Sequence, residues 1–349
     1  MSRVWEVPVH DSTRLRDARM AAREACAHAG LAAERTAAAE LVATELATNL
    51  LKHAGGGRMV VNPVAPPAGG AGTSVQLFSL DHGPGIADVT AALRDGYTTA
   101  EVSLGAGLGS CRRIANAFHL YSVPGRGTVA TARIDPAPAG RGTRAGEVPA
   151  GGIAVALGQA EQCGDAWAWV RSGGLVTLLL ADGLGHGPEA AHASGVAVAE
   201  LRGLAPLPPV DILRRLNAAL RPTRGAAVSV AQLDTERREL AFAGVGDVGA
   251  RLRTGDSWTS LVTRPGIVGA YFPAHVPVRP LPWRPDSLLV LHSDGLPSRW
   301  TPPDDPRLLT HDPSVVAAAI LRDAGSPARP VRDDTSVAVL APDRRTTTP

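Results

Sequence analysis

Acidic residues stand at the ends of apolar runs throughout the second half of the sequence. Asp165 sits in EQCGDAWAWV, Asp182 ends LVTLLLAD and opens DGLGHG, Asp294 ends SLLVLHSDG, and Asp333 and Asp334 precede TSVAVL. Packed sheets bring strand ends together, and carboxylates so gathered repel unless a cation neutralises them. Hard oxygen ligands select Mg²⁺ or Mn²⁺. A pair of such ions turns a bound water into a nucleophile near neutral pH, so attack on a phosphoester needs no Cys or Ser. A single Asp-Gly pair is equally a turn; it is the set that argues for a metal site. The stretch ADGLGHGPEAAHAS adds glycines that permit close backbone approach, then a helix. His186 within it need not bind metal, since acidic ligands are at hand.

The first half carries a different constellation. In AAAELVATELATNLLKHAGGG, Val42, Leu46 and Leu50 recur every four residues and form a buried stripe. Glu45, Asn49 and His53 recur at the same spacing along its edge. That edge either faces water or serves a ligand. A nucleotide with Mg²⁺ suits it, Asn as a hard oxygen ligand and Glu as a base for an attacking hydroxyl. His53 reads as structural or nucleotide-adjacent, not as a phosphoacceptor. SVQLFSLDHGPGI then ends a strand in Asp81, an acceptor suited to an adenine amino group, with Gly83 and Gly85 letting the backbone approach the ring. In SLGAGLGSCRRIANAF, Gly105, Gly107 and Gly109 precede a helix, the arrangement of a phosphate cradle. Ser110 stands where a Rossmann fingerprint requires glycine, and no GxxxxGK[ST] loop occurs.

These segments need elements to hold them. The spacing predicts helices over 12–30 and 34–54, strands over 58–61 and 74–80, a helix near 108–118 and a closing hairpin, HLYSVPGRGTVATARI. PAPAGRGTRAGEVPAGG, dense in Pro, Gly and Arg, reads as a linker. The expected domains are 1–137, a linker over 138–150, 151–342, and a tail over 343–349. Beyond the linker the pattern is mostly strand, with helices near 189–203, 210–220 and 313–324. The expected class is α+β, two α/β sandwiches in tandem. A net charge of +2 carries no basic footprint for nucleic acid. The three cysteines, Cys26, Cys111 and Cys163, match no zinc spacing and read as reduced thiols. No apolar leader or membrane-spanning run is apparent, so the expected location is the cytoplasm.

In order and spacing, ELATNLLKHA, DHGPGI and GAGLGS resemble the ATP-binding boxes shared by gyrase, Hsp90, histidine kinases and MutL, and look closest to the anti-sigma-factor and stressosome serine kinases. The resemblance spans roughly 5–135 and implies a Bergerat-type fold binding Mg·ATP. By it Glu45 is the catalytic base, Asn49 the Mg²⁺ ligand and Asp81 the adenine contact, with Gly83, Gly85, Gly105, Gly107, Gly109 and Thr128 lining the nucleotide. No phospho-accepting histidine helix accompanies them. CGDAW, ADGLGHGPEAA, GVGDVGARL, RPGIVG, HSDGL and DDTSVAVL resemble the SpoIIE family of PPM phosphatases, over about 151–341. That likeness implies an α-β-β-α sandwich with two Mn²⁺ or Mg²⁺ held by Asp165, Asp182, the Gly183 carbonyl, Asp294 and Asp333, Asp182 being central to catalysis. Asp334 in place of Asp333 stays open. Gly164 stands where eukaryotic relatives often have Glu.

The resemblances imply a Ser/Thr protein phosphatase acting on a STAS-domain or anti-sigma-antagonist phosphoprotein, with a serine kinase activity in the first domain and a sigma-factor regulator as a further partner. Two alternatives stay open at this point. The first domain only senses nucleotide or binds a partner, or the whole chain is a non-catalytic anti-sigma switch.

Overall fold

The computed structural model describes residues 3–64, 72–93, 107–137, 150–325 and 333–342. Gly105, most of the expected linker and the expected tail lie outside them. The chain forms two compact units. One comprises Val4–Gly146 together with Thr310–Arg322. The other comprises Glu147–Leu309 and Asp323–Pro349, with Met1–Arg3.

The first unit runs β1 (Trp5–Val9), α1 (Arg14–Ala29), α2 (Ala33–Ala54), β2 (Gly57–Val64), β3 (Ser74–Leu80), α3 (Val89–Ala92), α4 (Gly107–Ile114), β4 (Ala117–Val123) and β5 (Gly127–Ile134). Its antiparallel sheet has the order β1-β2-β3-β5-β4. Alanine-rich stripes of α1 and α2 pack on one sheet face, where Met59, Val61, Val75, Leu77, Ala130 and Ala132 point. Both helices end at glycines with left-handed backbone, Gly30 at φ 70° and Gly55 at φ 71°. By strand alternation Val60, Phe78, Val129 and Thr131 point to the opposite face, and each is fully buried.

Two details differ from the sequence expectation. Gly107 and Gly109 form the first turn of α4 rather than preceding it, and α4 ends at Ile114 instead of running to 118. Asn116 already joins the sheet, its N–H donating to the Arg133 carbonyl at 2.8 Å, so Phe118 is a strand residue.

The second unit contains β6 (Ala150–Val155), a single 3-10 turn, β7 (Asp165–Ser172), β8 (Leu175–Gly183), α5 (Pro188–Leu204), α6 (Pro209–Ala219), β9 (Ala226–Asp234), β10 (Glu239–Val245), β11 (Val248–Thr254), β12 (Ser257–Leu261), β13 (Arg279–Pro282), β14 (Leu288–Ser293), α7 (Pro306–Leu309) and β15 (Thr335–Leu340). Its strands form two five-stranded sheets, β13-β10-β9-β8-β7 and β12-β11-β14-β15-β6. Val176, Leu178 and Leu180 of β8 meet Leu289, Leu291 and Leu340 in the core between the sheets. Leu179 and Ala181, alternating with them, face Ala193, Ala197, Leu213 and Leu216 of α5 and α6. Burial on both faces explains why β8 reads as one continuous apolar run.

α8 (Pro313–Ala324) lies in sequence between β14 and β15, yet through Arg322 it belongs to the first unit. Among the described residues no helix is long and apolar enough to cross a membrane.

Candidate functional sites

In the first unit the polar edge of α2 meets the start of α4. A Cβ on Gly107 would lie 3.0 Å from Glu45 Oε2 and 3.9 Å from the Asn49 side-chain amide. The Asn49 Nδ2 is buried without a hydrogen-bond partner. A buried amide of this kind calls for a polar ligand. His53, one turn further, is exposed.

Asp81 follows β3 and is 7% exposed. Its Oδ1 accepts the backbone N–H of Gly83 at 2.8 Å and of Thr128 at 3.0 Å, leaving Oδ2 to serve another donor. The Thr128 hydroxyl is engaged with the Ser122 hydroxyl at 2.9 Å. Gly127, at φ +91°, lets β5 pass so close that an added Cβ would lie 2.1 Å from the Asp81 carbonyl oxygen. Burial raises the Asp81 carboxyl above the ordinary carboxylate range, opposed by the two amides and by the charges of Arg322 and His82. Glu45, Asn49 and Gly107 thus share one cluster, with Gly109 in the same helical turn, while Asp81, Gly83 and Thr128 share another. Gly85 (φ +72°) closes the second against β4, where its Cβ would fall 2.2 Å from the Val123 carbonyl oxygen.

In the second unit Asp165 opens β7 and pairs in register with Asp182 near the end of β8. Like charges facing across a ladder are unfavourable. Asp165 is fully buried, and neither carboxylate oxygen completes a well-formed hydrogen bond. Burial raises its carboxyl well above the usual range. The approach of the Ser293 hydroxyl opposes this, the Asp334 charge adds to it, the Ser336 hydroxyl opposes it and the Asp294 charge adds to it. Asp182 is raised by burial and by the charges of Asp165, Asp294 and Asp333. Asp294 is raised by burial and by Asp333 and Asp247, against a hydrogen bond with Asp182. Asp165, Asp182, Asp294 and Asp333 therefore act on one another as one electrostatic cluster. Gly183 follows on β8, packed so tightly that a Cβ would lie 2.1 Å from the Ala190 carbonyl oxygen, and its N–H donates to the Gly164 carbonyl at 3.0 Å. Among the described residues no three His, Cys, Asp or Glu side chains are yet drawn to coordinating distance of a common point. The donor set, buried oxygens without partners beside further carboxylates, nonetheless fits hard divalent cations.

Asp333 and Asp334 are in different situations. Asp334, 4% exposed, gives Oδ1 to the Leu157 N–H and Oδ2 to the Gly164 N–H, both at 2.8 Å. Its carboxylate thereby holds the residue before Asp165. Asp333 Oδ1 accepts the Asp334 N–H at 2.8 Å, and its charge reaches Asp182 and Asp294. His186 is exposed.

Sequence reading missed the bracing role of Asp334, the hydroxyls of Ser293 and Ser336, and Asp247 in GVGDVG. It also missed His292, whose Nδ1–H donates to the Ser293 carbonyl at 2.9 Å while Nε2 accepts from Trp300 Nε1–H at 3.2 Å. Burial lowers the imidazole pKa, in keeping with a neutral ring in that tautomer. Only the position of Asp334 and Ser293 beside the acidic residues could have drawn attention to them.

The family model of the histidine kinase-like ATPase domain matches residues 9–134. That of stage II sporulation protein E, SpoIIE, matches residues 172–343. The chain is 39% identical over 85 residues to the serine/threonine-protein kinase RsbT of Bacillus subtilis strain 168, a match covering 24% of this chain and 61% of RsbT. It therefore spans less than two thirds of that relative's length. RsbX in complex with magnesium is similar at 21% identity and a TM-score of 0.46, over 54% of this chain and 92% of that one. The phosphatase domain of SpoIIE from Bacillus subtilis, with a fragment of its regulatory domain, is similar at 16% identity and a TM-score of 0.48, over 77% and 79%. The two family models take successive parts of the sequence, and the chain is a fusion of a histidine kinase-like ATPase domain, RsbT-like in sequence, with a SpoIIE-type phosphatase domain.

Proposed function

We propose that the second unit hydrolyses phosphoserine or phosphothreonine on a protein, with two Mn²⁺ or Mg²⁺ held by Asp165, Asp182, the Gly183 carbonyl, Asp294 and Asp333. The observation that carries this reading is Asp165, buried with both oxygens unpartnered and paired in register with Asp182. Such cations supply a water acidic enough to be hydroxide near neutral pH. The chain's own residues fix the ligand ends. Asp334 ties Gly164 and Leu157 together, and the Ser293 Oγ accepts the Ser336 N–H at 2.9 Å, joining the ends of β14 and β15.

The first unit, in the same reading, binds Mg·ATP. Asn49 ligates the cation, Glu45 takes the proton of an acceptor hydroxyl, and Asp81 accepts from the adenine amino group. Gly83, Gly85, Gly105, Gly107, Gly109 and Thr128 give the backbone its close approach. The likeness to RsbT, a serine/threonine-protein kinase by name, supports phosphoryl transfer. Both units would act on one STAS-domain or anti-sigma-antagonist protein in the cytoplasm, adding and removing the same phosphate within a sigma-factor switch.

Asp182→Asn should lower Mn²⁺-dependent hydrolysis of p-nitrophenyl phosphate by about 100-fold or more. Its melting temperature should not fall, because a raised, mutually repelled carboxyl is replaced by a neutral amide of the same shape. Wild-type turnover at saturating Mn²⁺ would sink the assignment.

A further inference from the structure

The proposed phosphatase site gathers Asp165, Asp182, Asp294 and Asp333, whose charges a pair of divalent cations just cancels. A phosphorylated side chain brings about two further negative charges at neutral pH. Such a substrate is best received by an additional cation of the chain, placed beside the acidic cluster.

Arg224 meets that requirement. It lies between α6 and β9, and β9 opens with Ala226 paired to Gly183 of β8. The Leu184 N–H donates to the Gly225 carbonyl at 3.0 Å, which ties this turn to the loop leaving Asp182 and Gly183. A Cβ on Gly185 would lie 3.4 Å from Arg224 Nη1, so the guanidinium rests against that loop. The loop also reaches the buried ligand, since a Cβ on Gly164, the residue before Asp165, would lie 3.4 Å from the Gly185 carbonyl oxygen. The backbone that carries Arg224 is clamped. Gly225 has φ +84°, and a Cβ there would lie 2.7 Å from Ile267 Cγ2, while Ala226 and Val268 exchange hydrogen bonds of 3.0 and 2.9 Å. The side chain itself is free to change partner. Its Nε pairs with Oε2 of Glu189 in the first turn of α5, and the two side chains are 51% and 65% exposed. An exposed pair of this kind is held weakly. A guanidinium fork fits two oxygens of a phosphate as it fits those of a carboxylate.

Resting on the phosphatase reading above, we propose that Arg224 binds the phosphate group of the incoming phosphoprotein and that Glu189 competes for the same guanidinium. Without substrate, the ion pair parks Arg224 over the Leu184–Gly187 loop. When the phosphorylated side chain enters, Arg224 exchanges the Glu189 carboxylate for phosphate oxygens. The same competition keeps the hold on product orthophosphate loose, so the site clears after each turnover.

The test is a phosphorus NMR titration of orthophosphate with the full chain at saturating Mg²⁺, beside the KM for p-nitrophenyl phosphate. Asp182→Asn supplies the signal from any other phosphate site. Each variant is first checked for a wild-type melt, expected because an exposed ion pair contributes little to folding. Arg224→Gln should weaken orthophosphate and raise KM by about tenfold, the low end for a hydrogen bond to a charged group. Arg224→Lys keeps the charge but not the fork, and should recover part of the loss. Glu189→Gln should tighten orthophosphate by about threefold, the worth of a surface pair, and that gain should be mostly lost in the Arg224→Gln background. Wild-type affinity in Arg224→Gln, or the same gain from Glu189→Gln in both backgrounds, would overturn the inference and leave the phosphatase reading standing. A wild type that neither binds orthophosphate beyond the Asp182→Asn signal nor hydrolyses p-nitrophenyl phosphate would overturn both.

Discussion

The Asp81 carboxylate commits one oxygen to two backbone amides, and the proposed nucleotide role falls to the other. Asp81→Asn can preserve the first arrangement, because an amide oxygen still accepts both N–H groups. It cannot preserve the second, because the amide NH₂ then faces the adenine amino group, donor against donor. We expect affinity for the ATP analogue to fall by about ten- to a hundred-fold, the value of one hydrogen bond to a charged group. Glu45→Ala should leave that affinity near the wild-type value and slow transfer instead, and equal losses in both variants would remove the roles given to them. The pH dependence has a definite sign. Burial raises the folded carboxyl above its unfolded value, so the folded state holds the proton more readily, and this group's contribution to stability improves as pH falls through the raised value. Nucleotide affinity moves the opposite way, because protonation removes the charged acceptor. Loss of binding should therefore begin above the pH range of an ordinary carboxylate, and Asp81→Asn should flatten that part of the profile.

Glycines set how closely the elements approach these carboxylates. Gly125 and Gly127 both have left-handed backbone, at φ +78° and +91°, but a Cβ on Gly125 would meet nothing within 4 Å, whereas one on Gly127 would lie 2.1 Å from the Asp81 carbonyl oxygen. Gly125→Ala should cost about 1 kcal/mol from backbone strain alone. Gly127→Ala should cost several times more and abolish analogue binding, because β5 must move away from Asp81; thermal melts and calorimetry on the pair separate strain from clash. The glycines and carboxylates were legible as punctuation at the ends of apolar runs, since a strand in the middle of a sheet must end before a charged group can reach solvent or a ligand. The extent of α4 was not legible, because Gly107 and Gly109 read as loop where Gly107 is helix placed close to Glu45. Nor was the division of labour between Asp333 and Asp334 legible. Adjacent residues point different ways, and only the amides of Leu157 and Gly164 reveal which carboxylate is engaged. The partner of α8 was hidden for a plainer reason, since a helix apolar on all sides carries no stripe to say what it packs against.

Across the whole molecule, the sequence order of the two domains is not the order of their packing. Val60, Phe78 and Val129 are buried on the sheet face opposite α1 and α2, the face on which Thr310–Arg322, counted in the same unit, meets β4 and β5 through His311 with Tyr121 and Ser314 with Thr131. A fragment of residues 1–137 lacks that segment and would expose this apolar face. We expect it to bind a hydrophobic dye and to self-associate on size exclusion, and a synthetic peptide of residues 310–324 added in trans to suppress both. A monomeric fragment with no dye binding would mean that the face needs no cover. The same interleaving bears on how the protein is made. A ribosome delivers β1 to β5 early, but their last covering layer emerges only after almost the whole phosphatase portion has followed. The unit that begins first is completed near the end of translation, so a chain truncated anywhere before residue 310 would yield neither half in finished form.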